Sequence, residues 1–127
     1  MVEHGIVETV QQAFDEWIGD SGPAFRERPL PTISDSVKMV QQSGGITSLA
    51  HPKYYGIETE VLIPTLLKLG VDCVEAMHNS HPDSYRWELM QHGLPITVGG
   101  DSHGTDRRPS PGKMAVPIKN LHPCFRP

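Results

Sequence analysis

The stretch "PITVGGDSHG", residues 95–104, sets a β-branched run against two glycines and an Asp-x-His pair. Ile96, Thr97 and Val98 read as a short buried strand, because β-branched side chains suit a pleated, packed surface. Gly99 and Gly100 permit a bend and close backbone approach. Asp101 and His103 then stand at the mouth of the strand, where a turn can aim both side chains at one centre. Two similar endings lie upstream. "ITSLA" (46–50) runs into His51-Pro52, and "DCVEAM" (72–77) runs into the His78 to His81 stretch. Ahead of both, Ser34 is placed to cap a helix over "DSVKMVQQS", which stops at Gly44-Gly45. A second helix is expected over 60–69, with Pro64 either at its first position or as a kink. Pro82 opens a third, running to His92 and ending at Gly93. The order α, β, α, β, α, β with short turns predicts parallel strands joined by helical crossovers, an α/β layer or part of a barrel. In such folds ligands gather at the carboxyl ends of strands. His51, Glu75, His78, His81, Asp101 and His103 all fall there.

The bulk composition narrows the field. A chain of 127 residues suits one modest domain with one core. A net charge of −4 carries none of the footprint of a strongly basic nucleic-acid binder, although a local nucleotide site needs only a few cations. No apolar run approaches the ~20 residues that span a bilayer, so no membrane partner is expected. "MVEHGIVETVQQ" shows neither a basic n-region nor an apolar h-region. Cys73 and Cys124 stand far apart outside any CxxC pattern, which predicts no disulfide framework and a reducing, cytoplasmic setting. Residues 9–18 put Val10, Phe14, Trp17 and Ile18 on one helical stripe, and the glycines and prolines of 19–32 make a loop. Phe14, Trp17, Met39, Leu62, Leu66, Leu67 and Leu69 are the core candidates. The organisation expected is a helical segment and loop over 1–33, βα units over 34–104, and a proline-rich tail over 105–127, extended over the domain or disordered.

Imidazole and carboxylate are ligands suited to zinc, manganese or iron. An isolated D-x-H is commonly just a hydrogen-bonded turn, and a lone His before proline is commonly structural. Their shared place at strand ends in one α/β array is what points to a metal.

"GGITSLAHP" (44–52), followed some fifty residues on by "VGGDSHG" (98–104), resembles the third and fourth motifs of the PHP (polymerase and histidinol phosphatase) superfamily of metal-dependent phosphoesterases. The similarity is greatest to the stand-alone branch of RNase AM-type exonucleases and nucleoside 3′,5′-bisphosphate phosphatases. "MVEHGIVETVQQAFDEWIGDSGPAF" looks like that branch's inserted helical segment, and "LGVDCVEAMHNSHPDSYRWELMQHGLPITVGGDSHG" continues the likeness, which covers roughly residues 2 to 104. The resemblance implies the C-terminal part of a distorted (β/α)7 barrel with an N-terminal helical insertion. It implies hydrolysis of phosphate esters of nucleotides or RNA 5′ ends, with a small phosphate ester or short RNA as the bound partner. The implied cofactors are divalent ions, Mn2+, Fe2+ or Zn2+, held by His51, Asp101 and His103, with metal-bound water as the attacking group. Arg28, in "AFRERP", matches a family arginine and suits bidentate phosphate capture, or is a solvated loop cation. Lys53 is a second candidate for phosphate. His81, in "NSHPDS", matches a recurring His that could meet substrate phosphate or donate a proton, or stand idle beside a helix start. Arg107-Arg108 are placed to reach phosphate or to be solvated. His78 has no family match and is expected at the surface or in a turn; Glu75 is not named a ligand, and His92 and His122 are expected to face solvent.

The chain also departs from the family pattern. Relatives begin with an H-x-H strand, then an Asp and further His and Glu ligands; no H-x-H occurs here, and His4 falls where the family has a small residue. The expectation is a partial barrel, from a truncated gene product, a mis-called start or one fragment of a split protein. Three ligands can hold one metal with an open position, as catalysis requires. They cannot build the family's three-metal site. Beside the enzyme stands an alternative, a catalytically inactive fragment that binds metal or completes a partner. Open strand edges and an exposed barrel interior would favour a homo-oligomer or a partner chain supplying the missing strands. A zinc-dependent amidohydrolase uses similar ligands on a related barrel, but "AHP" with "DSHG" is the more specific pair for a phosphoesterase.

Overall fold

The computed structural model describes residues 1–104, 111–112, 114–116 and 118–125, and the chain divides into two compact units, Met1–Leu30 and Pro31–Pro127. Arg107-Arg108 lie outside the described residues. No helix among the described residues is long and apolar enough to cross a membrane.

In the first unit, Thr9 caps α1 (Val10–Ala13) by accepting the Gln12 N–H at 3.1 Å. The helix runs straight into a π-helical turn, Phe14–Ile18, closed by the Gly19 N–H on the Phe14 carbonyl at 2.8 Å. An i→i+5 turn breaks the 3.6-residue period on which the expected stripe depends. All four residues of that stripe, Val10, Phe14, Trp17 and Ile18, are exposed, and Val7 and Ala13 are the buried apolar residues of this unit.

The second unit holds α2 (Ile33–Gln42), β1 (Ser48–Leu49), α3 (Thr59–Leu69), β2 (Cys73–His78), α4 (Asp83–Gln91) and β3 (Ile96–Gly99). The strands pair in parallel in the order β1-β2-β3, so the sheet is the parallel α/β arrangement expected from the alternation. Thr32, not Ser34, caps α2: its hydroxyl oxygen accepts the Asp35 N–H at 3.1 Å and its O–H donates to the Asp35 carboxylate at 2.7 Å. A Thr with an acidic residue three positions on satisfies two groups at once, which a Ser inside the first turn does not. Pro64 lies inside α3 rather than at its start, and burial of Leu62, Ile63 and Leu66 offsets its missing N–H. Pro82 stands at the N-cap of α4, as expected.

The core gathers Val37, Leu62, Ile63, Leu66, Leu89 and Ile96 around Val74 and Ala76 of the central strand, with Leu69 packed at its margin. Met39 and Leu67, expected inside, are exposed. Leu67 follows Leu66 by one helical step, which turns it away from the sheet. The described part of the tail is ordered against the sheet rather than loose. Leu121 bridges in parallel to Ile96, and Met114, Val116 and Leu121 pack on the core. His92 and His122 are half-buried rather than solvent-facing. Cys73 is buried, Cys124 exposed, and both are free thiols. Burial pushes the Cys73 thiol up to about 11, so it is inert.

Asp72 ties the amino ends of β1 and β2 together. Its carboxylate accepts the Thr47 N–H at 2.8 Å, the Thr47 hydroxyl at 2.7 Å and the Gln41 amide at 3.3 Å, while its own N–H donates to Thr47 Oγ1 at 3.1 Å. The Thr47 N–H, then the Thr47 hydroxyl, hold this carboxyl below its ordinary 3.8. A depressed carboxyl contributes stability that is present above 3.8 and lost as the pH falls through the lower folded value. Asp72→Ala is therefore expected to cost about 1–2 kcal/mol near neutral pH. Urea unfolding should show that difference at pH 7 and show it shrinking as the pH is taken below 3.8.

Candidate metal centre

Because β1 and β2 run in parallel, they deliver their C-terminal residues to the same side of the sheet. His51 lies two residues past β1 in a left-handed conformation, φ 50°, with Pro52 opening the 3₁₀ turn that follows. This bend turns the His51 N–H onto Glu75 Oε2 at 2.9 Å and brings its ring Nδ1 to 3.3 Å from the same oxygen. Glu75 sits where the β2–β3 register shifts, between Glu75 and Met77. Across from it, Gly99 leaves the room the carboxylate needs: a Cβ there would run into Glu75 Oε1. The glycine opening the "GGDSHG" bend thus serves the acid on the neighbouring strand as well as the turn.

His78 closes β2 and is buried, not at the surface; its ring Nε2 lies 3.1 Å from His51 Nδ1 and 3.7 Å from Asp101 Oδ2. Its other nitrogen lies 2.8 Å from the Ser80 hydroxyl and accepts the Ser80 N–H at 3.2 Å. Arg86 donates to the His78 carbonyl at 2.8 Å while pairing with Asp83, which pins this strand end to α4. Ring and backbone of His78 are both held. Its burial follows from the strand continuing one residue past the expected end at Met77.

Asp101 is the other non-glycine residue with a positive φ among the described residues, 48°. Such conformations cost energy in L-residues and concentrate at functional sites. Asn79 donates to the Gly100 carbonyl and tethers this loop to the end of β2. His103 Nδ1 lies 2.8 Å from the Asp101 carbonyl and 3.6 Å from Asp101 Oδ1, with its ring mostly exposed.

His51, Glu75 and His78 each present one ligand atom, and the three atoms lie within 4.8 Å of one another. Ligand bonds of roughly 2.0–2.2 Å set neighbouring ligand atoms about 3.0–3.5 Å apart around one ion. The 3.1 Å and 3.3 Å separations from His51 Nδ1 match that spacing. Two imidazoles and a carboxylate form a donor set suited to zinc, manganese or iron. Asp101 adjoins the group through His78, and His103 adjoins Asp101.

The remaining candidates are dispersed. His81 is buried, with Nδ1 at 3.0 Å from the Ala76 carbonyl and Nε2 without a hydrogen-bond partner. Its ring lies between those of His78 and Tyr85, and burial holds its pKa below the usual value, so it is neutral at pH 7. Lys53 is exposed on the turn directly after His51. Arg28 is exposed in the first unit.

No protein-family model matches this chain, and no curated protein does. Solved structures do match. An amidohydrolase from Chromobacterium violaceum, with bound sulfate and no metal, is 23% identical with a TM-score of 0.62, over 99% of this chain and 45% of that one. A proposed metal-dependent phosphoesterase from Bifidobacterium adolescentis is 24% identical with a TM-score of 0.61, over 81% of this chain and 39% of that one. The likeness shows a shared fold, and the chain spans less than half the length of either structure.

Proposed function

We propose that this chain carries the metal-holding C-terminal part of a PHP-type (β/α)7 barrel, and that it serves a metal-dependent phosphoesterase acting on nucleotides or RNA 5′ ends. The observation that carries the reading is the convergence of His51 Nδ1, Glu75 Oε2 and His78 Nε2 at the carboxyl ends of two parallel strands. The phosphoesterase name of the Bifidobacterium neighbour and the "AHP" and "DSHG" motifs support the same class.

In this reading His51, Glu75 and His78 hold a divalent ion, Mn2+, Fe2+ or Zn2+, with Asp101 and His103 as further ligands on the adjoining loop. Such an ion supplies Lewis acidity and a clamp for phosphate oxygens. The chain's own residues do the positioning. Ser80 and Arg86 fix the His78 ring and backbone, and Glu75 fixes the turn that presents His51. Lys53, on that turn, offers an ammonium to substrate phosphate. His81 stands behind His78 as a neutral imidazole.

Elemental analysis of purified protein, beside a His51→Ala/His78→Ala variant, tests the reading together with a phosphatase assay on 3′,5′-bisphosphonucleotides. Expected are about one divalent ion per chain, reduced in the variant, and release of phosphate. Protein with no metal above the variant's background would overturn it. The second reading is a metal-binding subunit completed by a partner chain or another copy. Its signature is bound metal without turnover. Hydrolysis of amides but not phosphate esters would instead favour the class of the Chromobacterium neighbour.

A further inference from the structure

The turn following His51 carries exposed bulky side chains that the core does not use. Tyr54 is 70% exposed and Tyr55 57%. Tyr54 is the one whose ring meets the candidate metal centre: its centroid lies 5.9 Å from that of His51, tilted by 60°. The backbone that carries the ring is held, because the Tyr54 N–H donates to the His51 carbonyl at 3.0 Å and Gly56, at φ 62°, closes the turn. A tyrosine held by its backbone gives a wide apolar face with few rotatable bonds, which suits it to receive a flat partner at low entropic cost. Lys53, exposed on the same turn, adds a positive charge next to it.

We infer that Tyr54 is a specificity-determining residue, whose exposed face receives the planar ring of a phosphate ester seated at the His51–Glu75–His78 cluster. The inference rests on the phosphoesterase reading and adds the residue that selects ring-bearing over ringless esters. One aromatic ring away from a ligating imidazole is the distance at which a ring attached to a bound phosphate can stack or meet edge to face.

Zinc-loaded protein, its metal content verified first, is titrated calorimetrically with phenylphosphonate and methylphosphonate, which resist hydrolysis, and with inorganic phosphate. Phenylphosphonate should bind about 3–10-fold more tightly than methylphosphonate. Tyr54→Ala should erase that difference, and Tyr54→Phe, which keeps the ring, should preserve it. Because Tyr54 is exposed, the melting temperatures of both variants should match the wild type. Equal affinities in the wild type, or a preference that survives Tyr54→Ala, would overturn the role of Tyr54 and leave the phosphoesterase reading standing. If the zinc-loaded protein binds neither phosphonate nor phosphate, the phosphoesterase reading fails and this inference with it.

Discussion

Replacing His78 by alanine is expected to weaken zinc binding by roughly 100-fold or more, beyond the 10–100-fold that loss of an outer partner of a ligand costs. The reason is geometric. His78 Nε2 and His51 Nδ1 stand 3.1 Å apart, and the imidazole of His78 is held from behind by Ser80 and from its carbonyl by Arg86. Its loss leaves only His51 and Glu75 of the three converging groups. The contrast with His103 makes the prediction sharp. That ring is mostly exposed and meets Asp101, not His51, so His103→Ala should cost less. Isothermal titration of chelator-treated protein with zinc gives both numbers. A metal held instead by His51, Asp101 and His103 alone would reverse the order, with His78→Ala nearly silent and His103→Ala severe. Thermal melts provide an independent readout, since a ligand bound only to the folded state at 100 times its Kd adds about 2.7 kcal/mol. Wild-type protein should gain that stabilisation on zinc addition, and His78→Ala should gain little.

The different fates of His51, Asp101 and His78 show what a single sequence exposes. His51 and Asp101 follow short β-branched or apolar runs and precede proline or stand beside glycine, so their place at strand ends can be read from local punctuation. Glu75 and His78 carry no such mark. Glu75 enters the cluster only because the β2–β3 register shifts beside it and because residue 99 lacks a side chain. Both are facts of the neighbouring strand, twenty-odd residues away. His78 lies next to asparagine and serine, which reads as a turn, yet the strand holds on through His78 and buries it. The same limit applies to the fold. Alternating periodicity and Gly/Pro breaks are local, so the parallel α/β order was legible. The π-helical turn at Phe14–Ile18 was not, since the apolar spacing of an i→i+5 turn looks like that of an ordinary helix. Capping of α2 by Thr32 was legible in principle, from an acidic residue at Asp35 three positions on.

Leu89→Ala is expected to cost about 2–5 kcal/mol of stability. Leu89 is fully buried on α4 and belongs to the cluster formed with Val74, Ala76 and Ile96. Removing its branched end leaves a cavity between the helix and the central strand, and the parallel neighbours on both sides of β2 limit how far that strand can move to fill it. Domains of this kind are stable by only about 5–15 kcal/mol, so the loss is a large share of the total. Urea unfolding should show it, with Leu67→Ala as the control: that leucine is 55% exposed and should change stability by less than ~0.5 kcal/mol. The two effects connect to the site through α4. Arg86 reaches from the same helix to the His78 carbonyl, so loosening α4 also loosens the backbone of the candidate ligand. Zinc at a concentration that fills the wild-type site should therefore recover part of the stability lost in Leu89→Ala, whereas the double variant Leu89→Ala/His78→Ala should recover little. Equal recovery in the two would mean that zinc binds elsewhere in the chain, and that packing behind β2 does nothing for the histidine at its end.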